Sequence, residues 1–155
     1  MRQLQLGNFK DSLNNLLEAE ALSDTVENNA KLSAITLNNL GCYHKRQGKP
    51  KKALGYLQRA LELERESNQD LTNIAGTHLN MCAIQSELGR HEDALLNAAQ
   101  ALNILSKEYD PSPNAISTLI IAYHNLGVEN EFLNQKGEAM DAYKLGLELA
   151  AEKLG

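Results

Sequence analysis

Apolar residues recur along this chain at the spacing of an amphipathic helix. Leu54, Leu57 and Leu61 stand at i, i+3 and i+7, with alanines beside them, which places them on one helical face. The sequence lacks the sustained alternation of apolar and polar residues that is typical of strands. We therefore predict an all-α chain with about seven helices. Their predicted spans are 9–23, 29–47, 50–67, 70–88, 91–107, 113–133 and 137–153.

The breaks between the predicted helices return at a regular interval. Gly7, Gly48 and Gly89 lie 41 residues apart, and Asn134 follows 45 residues after Gly89. Glycine suits the left-handed backbone conformation in which many helices end. The loop at 109–114, which contains two prolines, accounts for the longer last interval. A period of roughly 40 residues is typical of stacked helical repeats.

Small residues return at fixed places around each break. Small side chains at these places would let neighbouring helices approach closely, while large ones between them fill the core. We therefore predict a single domain, 1–155, with a partial repeat at 1–28 and complete repeats at 29–69, 70–110 and 111–155. The small residues are Gly41, Cys82 and Gly127 before the break, then Ser12, Ala53, Ala94 and Ala139, and then Ala19, Ala60, Ala101 and Gly146.

This arrangement resembles the tetratricopeptide repeat. That motif has a small residue in the first helix of each pair, helix A, and a glycine near its end, followed by two small residues in helix B. A large residue lies between those two small ones. Leu57 and Tyr143 fit this pattern. Ala98 departs from it, so we expect looser packing at Ala98. The 41-residue period and the segment LNNLG (37–41) resemble the longer repeats of kinesin light chains and Pins-type adaptors.

The resemblance implies an α-solenoid, a right-handed superhelix of antiparallel helix pairs whose A helices line a concave groove. It also implies a non-catalytic scaffold or adaptor that binds a peptide or helix of a partner protein in that groove. Asn39, Asn80 and Asn125 occupy one motif position in the three complete repeats. In related proteins this residue holds the backbone of the bound peptide, and an asparagine amide can both donate and accept a hydrogen bond. Alternatively, each asparagine bonds a neighbouring carbonyl and orders its own turn.

The other predicted groove positions are less uniform. Leu79, Ala83 and Val128 indicate an apolar strip, and Lys45 and Arg46 could meet an acidic peptide. The remaining predicted positions are Asn38, Cys42 and His124.

A second hypothesis is a structural spacer within a longer cytoskeletal or ciliary protein, its groove empty or filled by the protein's own chain. Neither end of the sequence has the features of a polar capping helix, and terminal repeats need a polar outer face to stay soluble. We therefore expect a piece of a longer array, and self-association through its uncapped ends. A reproducible affinity for a peptide would favour the adaptor.

Composition and charge argue against several other classes of protein. A net charge of -5 leaves no basic excess for nucleic acid, and no apolar run approaches the roughly 20 residues that cross a bilayer. Two cysteines are too few for a disulfide framework, so a cytoplasmic location is expected. The resemblance to kinesin light chains implies an association with the cytoskeleton or a cilium. The histidines follow no metal-ligand pattern, and we assign His78 and Cys82 to core packing. We expect no enzymatic activity, metal or cofactor, because no nucleophile, base and orienting group can be assembled.

Overall fold

Every regular element in the described part of the chain is a helix. The computed structural model describes residues 13–18, 30–67 and 70–153. Helix α1 is described over 13–18, and helices α2 to α7 span Ala30–Arg46, Pro50–Glu66, Leu71–Glu87, His91–Leu105, Pro113–Phe132 and Lys136–Lys153. The predicted all-α repeat fold is confirmed, and the bounds of α2 to α7 agree with the prediction to within two residues. Gly7, Ser12, Ala19 and the predicted helical residues 9–12 and 19–23 lie outside the described residues.

Three helix ends share one hydrogen-bond geometry. The residue at each predicted break has a left-handed backbone, with φ of 72° at Gly48, 75° at Gly89 and 61° at Asn134. The Gly48 N–H donates to the carbonyl three residues earlier at 3.0 Å, and the Lys49 N–H donates to the carbonyl five residues earlier at 2.9 Å. The other two ends have the same pair of bonds. This is the Schellman motif, which satisfies the last carbonyls of a helix and stops it at a defined residue.

Contacts within the chain divide it into two compact units, Met1–Gln69 and Asp70–Gly155. The division falls between two of the predicted repeats. In the first unit α2 packs against α3, and in the second each of α4, α5 and α6 packs against the helix that follows it. Helix α4 also contacts α6, so the A helices of the last two repeats are direct neighbours in the second unit.

Alanines form the centre of the second unit. Their short side chains let the helices approach closely, and the larger side chains of Leu105 and Leu119 fill the space that remains. Cys82 lies in the same cluster, as the sequence predicted. The alanines of this cluster are Ala75, Ala94, Ala98, Ala101, Ala115 and Ala122, each with no accessible surface.

The small residue of helix A and the larger residue of helix B compensate each other in volume. A Cβ added to Gly41 would lie 2.9 Å from Leu57 Cγ, and a Cβ added to Gly127 would overlap the ring of Tyr143. The middle repeat has the reverse arrangement, because the larger Cys82 accompanies Ala98, and both are buried in one cluster. Ala98 has no accessible surface, and the looser packing expected there stays a prediction.

An aromatic stack joins α2 to α3 in the first unit. The rings of His44 and Tyr56 are nearly parallel, with 5.1 Å between their centroids, and Tyr43 meets His44 edge-on at the same distance. Burial lowers the pKa of His44, and the positive charges of Lys52 and Lys49 lower it further. The His44 ring is therefore held in its neutral form inside the stack.

The close approach at the alanine positions can be tested with two leucine substitutions on α5. We expect Ala94→Leu to lower the free energy of unfolding by about 1–3 kcal/mol, because the added side chain has no space in the packed core. Ala99→Leu, at an exposed position on the same helix, should have almost no effect. Urea denaturation followed by helical circular dichroism measures both. Equal stability of the two variants would mean that the repeat register is wrong.

Candidate functional site

The three equivalent asparagines lie on the A helices α2, α4 and α6. Asn39 and Asn125 are half-buried, and Asn80 is exposed. Among the residues that the structure describes, none of these three amides forms a hydrogen bond with another protein group. The neighbouring Asn38 differs, since its Nδ2 donates to the carbonyl of Ala34 at 3.4 Å. The alternative in which each asparagine orders its own turn thus has no hydrogen bond to support it in this part of the chain.

Most of the remaining predicted positions have accessible side chains. On α2, Cys42 and Lys45 are half-buried and Arg46 is exposed. In the second unit, Ala83 on α4 and Val128 on α6 are half-buried.

Leu79 requires a correction. Its side chain is only 7% exposed and belongs to the hydrophobic core of the second unit. It is inaccessible because Leu119 and Ala122 of α6 pack into the same cluster. Of the three residues of the predicted apolar strip, only Ala83 and Val128 have accessible side chains.

A cavity of about 310 Å³ opens beside Val128. Its other lining residues are Glu131, Phe132 and Tyr143. The hydroxyl of Tyr143 donates a hydrogen bond to the Glu131 carboxylate. This bond raises the pKa of Tyr143 to about 12, and burial and the negative charge of Glu131 contribute less to the rise. The cavity thus combines two aromatic rings, an aliphatic side chain and a carboxylate.

His124 lies at a different cavity. Together with residues such as Ile120 and Leu147 it lines a space of about 290 Å³ between α6 and α7. The centroid of its ring is 5.8 Å from that of Tyr143, a residue that also lines this cavity. Two of the predicted groove residues, His124 and Val128, therefore line two different cavities of the same helix pair.

Asn97 shows how an asparagine is used structurally in this fold. Its Nδ2 donates to Gln85 Oε1 at 2.6 Å, and its Oδ1 lies 2.8 Å from His78 Nδ1. Because an amide oxygen only accepts, His78 must carry its proton on Nδ1. The network joins α4 to α5, and His78 is buried, in agreement with its predicted place in the core.

A second polar link joins α5 to α6. His91 Nδ1 lies 2.7 Å from Glu129 Oε1, and the Glu129 side chain is only 2% exposed. The His91 ring stacks on Phe132 with 4.0 Å between the centroids. His91 and Glu129 are 38 positions apart in the sequence, and no motif connects them, so this link was not predicted. A buried carboxylate needs such a partner, and the pair ties the last two repeats together.

Neither metal binding nor membrane insertion finds support in the described helices. Across the residues that the structure describes, no group of three His, Cys, Asp or Glu side chains could hold a metal ion. None of the described helices has the length and apolar character needed to cross a bilayer.

Comparison with known families decides what these helix pairs are. Two family models, both described as tetratricopeptide repeat, match residues 3–66 and 120–153, which together exceed half of the chain. The chain belongs to the tetratricopeptide repeat family. The predicted family is thus confirmed, with α2, α4 and α6 as A helices and α3, α5 and α7 as B helices. The middle tetratricopeptide repeat lies outside these two matches, yet its A helix ends in the same Schellman motif.

Solved structures of other proteins share the fold. BtubC (BKLC) from P. vanneervenii superimposes with a TM-score of 0.64 at 15% identity, over 99% of this chain and 77% of that protein. The nearly identical TPR-like repeats of a kinesin light chain-like protein from P. anserina give a TM-score of 0.61 at 11% identity, over 99% of this chain and 92% of that one. At these identities the similarity concerns the fold. None of the curated proteins matches the chain in sequence.

The two cysteines are expected to differ in reactivity. Burial, and then the negative charge of Glu129, raise the pKa of Cys82 to about 12, so this thiol stays protonated at neutral pH and is a poor nucleophile. Cys42 is half-buried and more accessible to reagents. In a thiol titration of the folded protein, Cys42→Ser should abolish the rapid reaction, and the remaining thiol should react only after unfolding in urea. Rapid labelling of Cys82 in folded Cys42→Ser would contradict the buried position.

Proposed function

We propose that this tetratricopeptide repeat protein is an interaction module that binds an extended peptide of a partner protein along its A helices. The observation that carries the proposal is the set of Asn39, Asn80 and Asn125, which share one repeat position and lack hydrogen-bond partners among the described residues. The proposal makes the protein a non-catalytic scaffold or adaptor.

The chemistry of the amide supports a peptide as the ligand. Each asparagine offers donors and an acceptor, which match the C=O and N–H groups of an extended backbone. An extended peptide leaves these backbone groups without internal partners, so it gains from a row of amides whatever its side chains are. Asn80 and Asn125 lie on the contacting helices α4 and α6, so they can serve one ligand within the second unit.

The cavity beside Val128 would select one side chain of this peptide. Phe132 presents an exposed aromatic ring there, and Glu131 presents a carboxylate. A cation next to an aromatic face and a carboxylate is stabilised by both. We therefore expect the preferred peptide to place a lysine or an arginine at this cavity.

The test is a peptide-binding experiment with the intact chain. Peptides selected from a displayed random library should bind the wild type. Asn80→Ala and Asn125→Ala, on contacting helices of the second unit, should each weaken binding by roughly 1 kcal/mol or more, the scale of a lost buried hydrogen bond. Isothermal titration calorimetry gives the affinities, and circular dichroism checks that helicity is unchanged. N-methylation of the peptide backbone should weaken binding as well, because recognition is directed at the backbone.

The matched control replaces three exposed asparagines outside the repeated position, Asn73, Asn103 and Asn114, by alanine. This control should bind the peptide as tightly as the wild type does. Failure to select any peptide, or equal affinity of the groove and control variants, would overturn the proposal. The structural spacer is then the better account. A loss of helicity in the groove variants would show that these asparagines are structural.

A further inference from the structure

A buried histidine of the first unit carries polar atoms that the fold does not use. The His44 ring is only 2% exposed, and within the described part of the chain neither of its nitrogens has a hydrogen-bond partner. The buried His78 differs, because its Nδ1 lies 2.8 Å from Asn97 Oδ1. A neutral imidazole has one donor and one acceptor, and burying them without partners destabilises the folded state. A phenylalanine ring could stack at position 44 without this penalty.

The His44 ring lies in the contact between α2 and α3. It stacks on Tyr56 of α3, with 5.1 Å between the ring centroids and 4° between the ring planes. Tyr43, which meets His44 edge-on, packs in a hydrophobic cluster with Leu16 of α1. The one titratable side chain in the described part of α1, Glu18, is exposed. Moving the His44 ring out of the stack would therefore disturb the packing of α2 against α3.

The charges that act on the His44 ring from α3 and the turn before it are positive. Burial lowers the pKa of His44 most, and Lys52, in the first turn of α3, and Lys49, in the preceding turn, lower it further. The guanidinium of Arg59 on α3 lies over the Tyr56 ring, with 5.8 Å from Cζ to the centroid, so a third positive charge is present at the stack. A protonated His44 would thus be a buried cation facing other cations, which is unfavourable.

These features make the stability of the α2–α3 pair depend on pH. In the unfolded chain the imidazole of His44 takes up a proton near its usual pKa of 6.5, whereas in the folded chain its pKa is lower. The stability is therefore complete above pH 6.5 and falls as the pH drops below this value, because the unfolded state binds the proton more readily. In this range the equilibrium constant for opening rises by up to about tenfold per pH unit.

We propose that His44 is a pH switch between α2 and α3, which supports their contact while the ring is neutral and opens this contact when the ring is protonated. Such a switch needs a titratable group that the fold accepts in only one protonation state, and His44 is a group of this kind. Asn39 lies on the same helix, so opening in acid would also displace one member of the asparagine set. The switch acts on the fold itself and does not depend on peptide binding.

Hydrogen exchange of the backbone amides, measured by mass spectrometry on the intact chain, tests the switch. After correction for the intrinsic pH dependence of exchange, the protection of α2 and α3 should fall by up to about tenfold between about pH 7.5 and about pH 5.5. His44→Phe keeps a stacking ring without a titratable nitrogen, so this fall should disappear. His124→Phe, a matched change of an exposed histidine on α6, should leave the fall unchanged.

A second variant leaves the stack intact and changes only two exposed lysines. Lys49→Gln combined with Lys52→Gln removes charges that oppose protonation, so the pKa of His44 should rise towards 6.5 and the loss of protection in acid should shrink.

Two results would overturn the switch. The first is an equal loss of protection in acid for the wild type and His44→Phe. The second is a His44 ring that titrates at or above pH 6.5 in NMR spectra while α2 and α3 stay protected. If His44→Phe does not fold, the lysine variant decides, and an unchanged loss of protection in acid would overturn the switch.

Discussion

Close contact between helices at small residues is the constraint on which this structure depends. Gly41 and Gly127 leave no room for a Cβ against Leu57 and Tyr143, and alanines with no accessible surface line the second unit. This close helix packing determines which side of each helix is buried, and the Schellman motifs determine where the A helices end. The accessible sides of the A helices are what remains for a ligand.

The repeat pattern predicted most of the fold because packing and capping are local in sequence. Small residues at a fixed distance from a left-handed break indicate both the helix ends and the buried faces, and the bounds of α2 to α7 follow closely. Side-chain contacts between helices, whether within one repeat or between two, were not predictable in this way. The His91–Glu129 link and the Asn97 network join residues whose separation follows no motif. The burial of Cys82 and Ala98 in one cluster also required the two helices to be seen together.

The accessibility of the predicted groove residues was predicted less well than the fold, for a physical reason. Motif position states which side of an A helix a residue lies on, but the next helix decides whether that residue is covered. Leu79 occupies a predicted groove position and is buried by α6, whereas Asn80 beside it is exposed.

In the proposed function, the repeated asparagines contact a ligand, and the fold itself does not use their side-chain amides. Solvent exchange of the asparagine side-chain amides, measured by NMR on the free protein, tests this most directly. The amides of Asn39, Asn80 and Asn125 should exchange rapidly, and that of Asn97, which donates to Gln85 at 2.6 Å, should exchange slowly. Protection of the three amides equal to that of Asn97 would contradict the account, because it would show that the fold itself uses them.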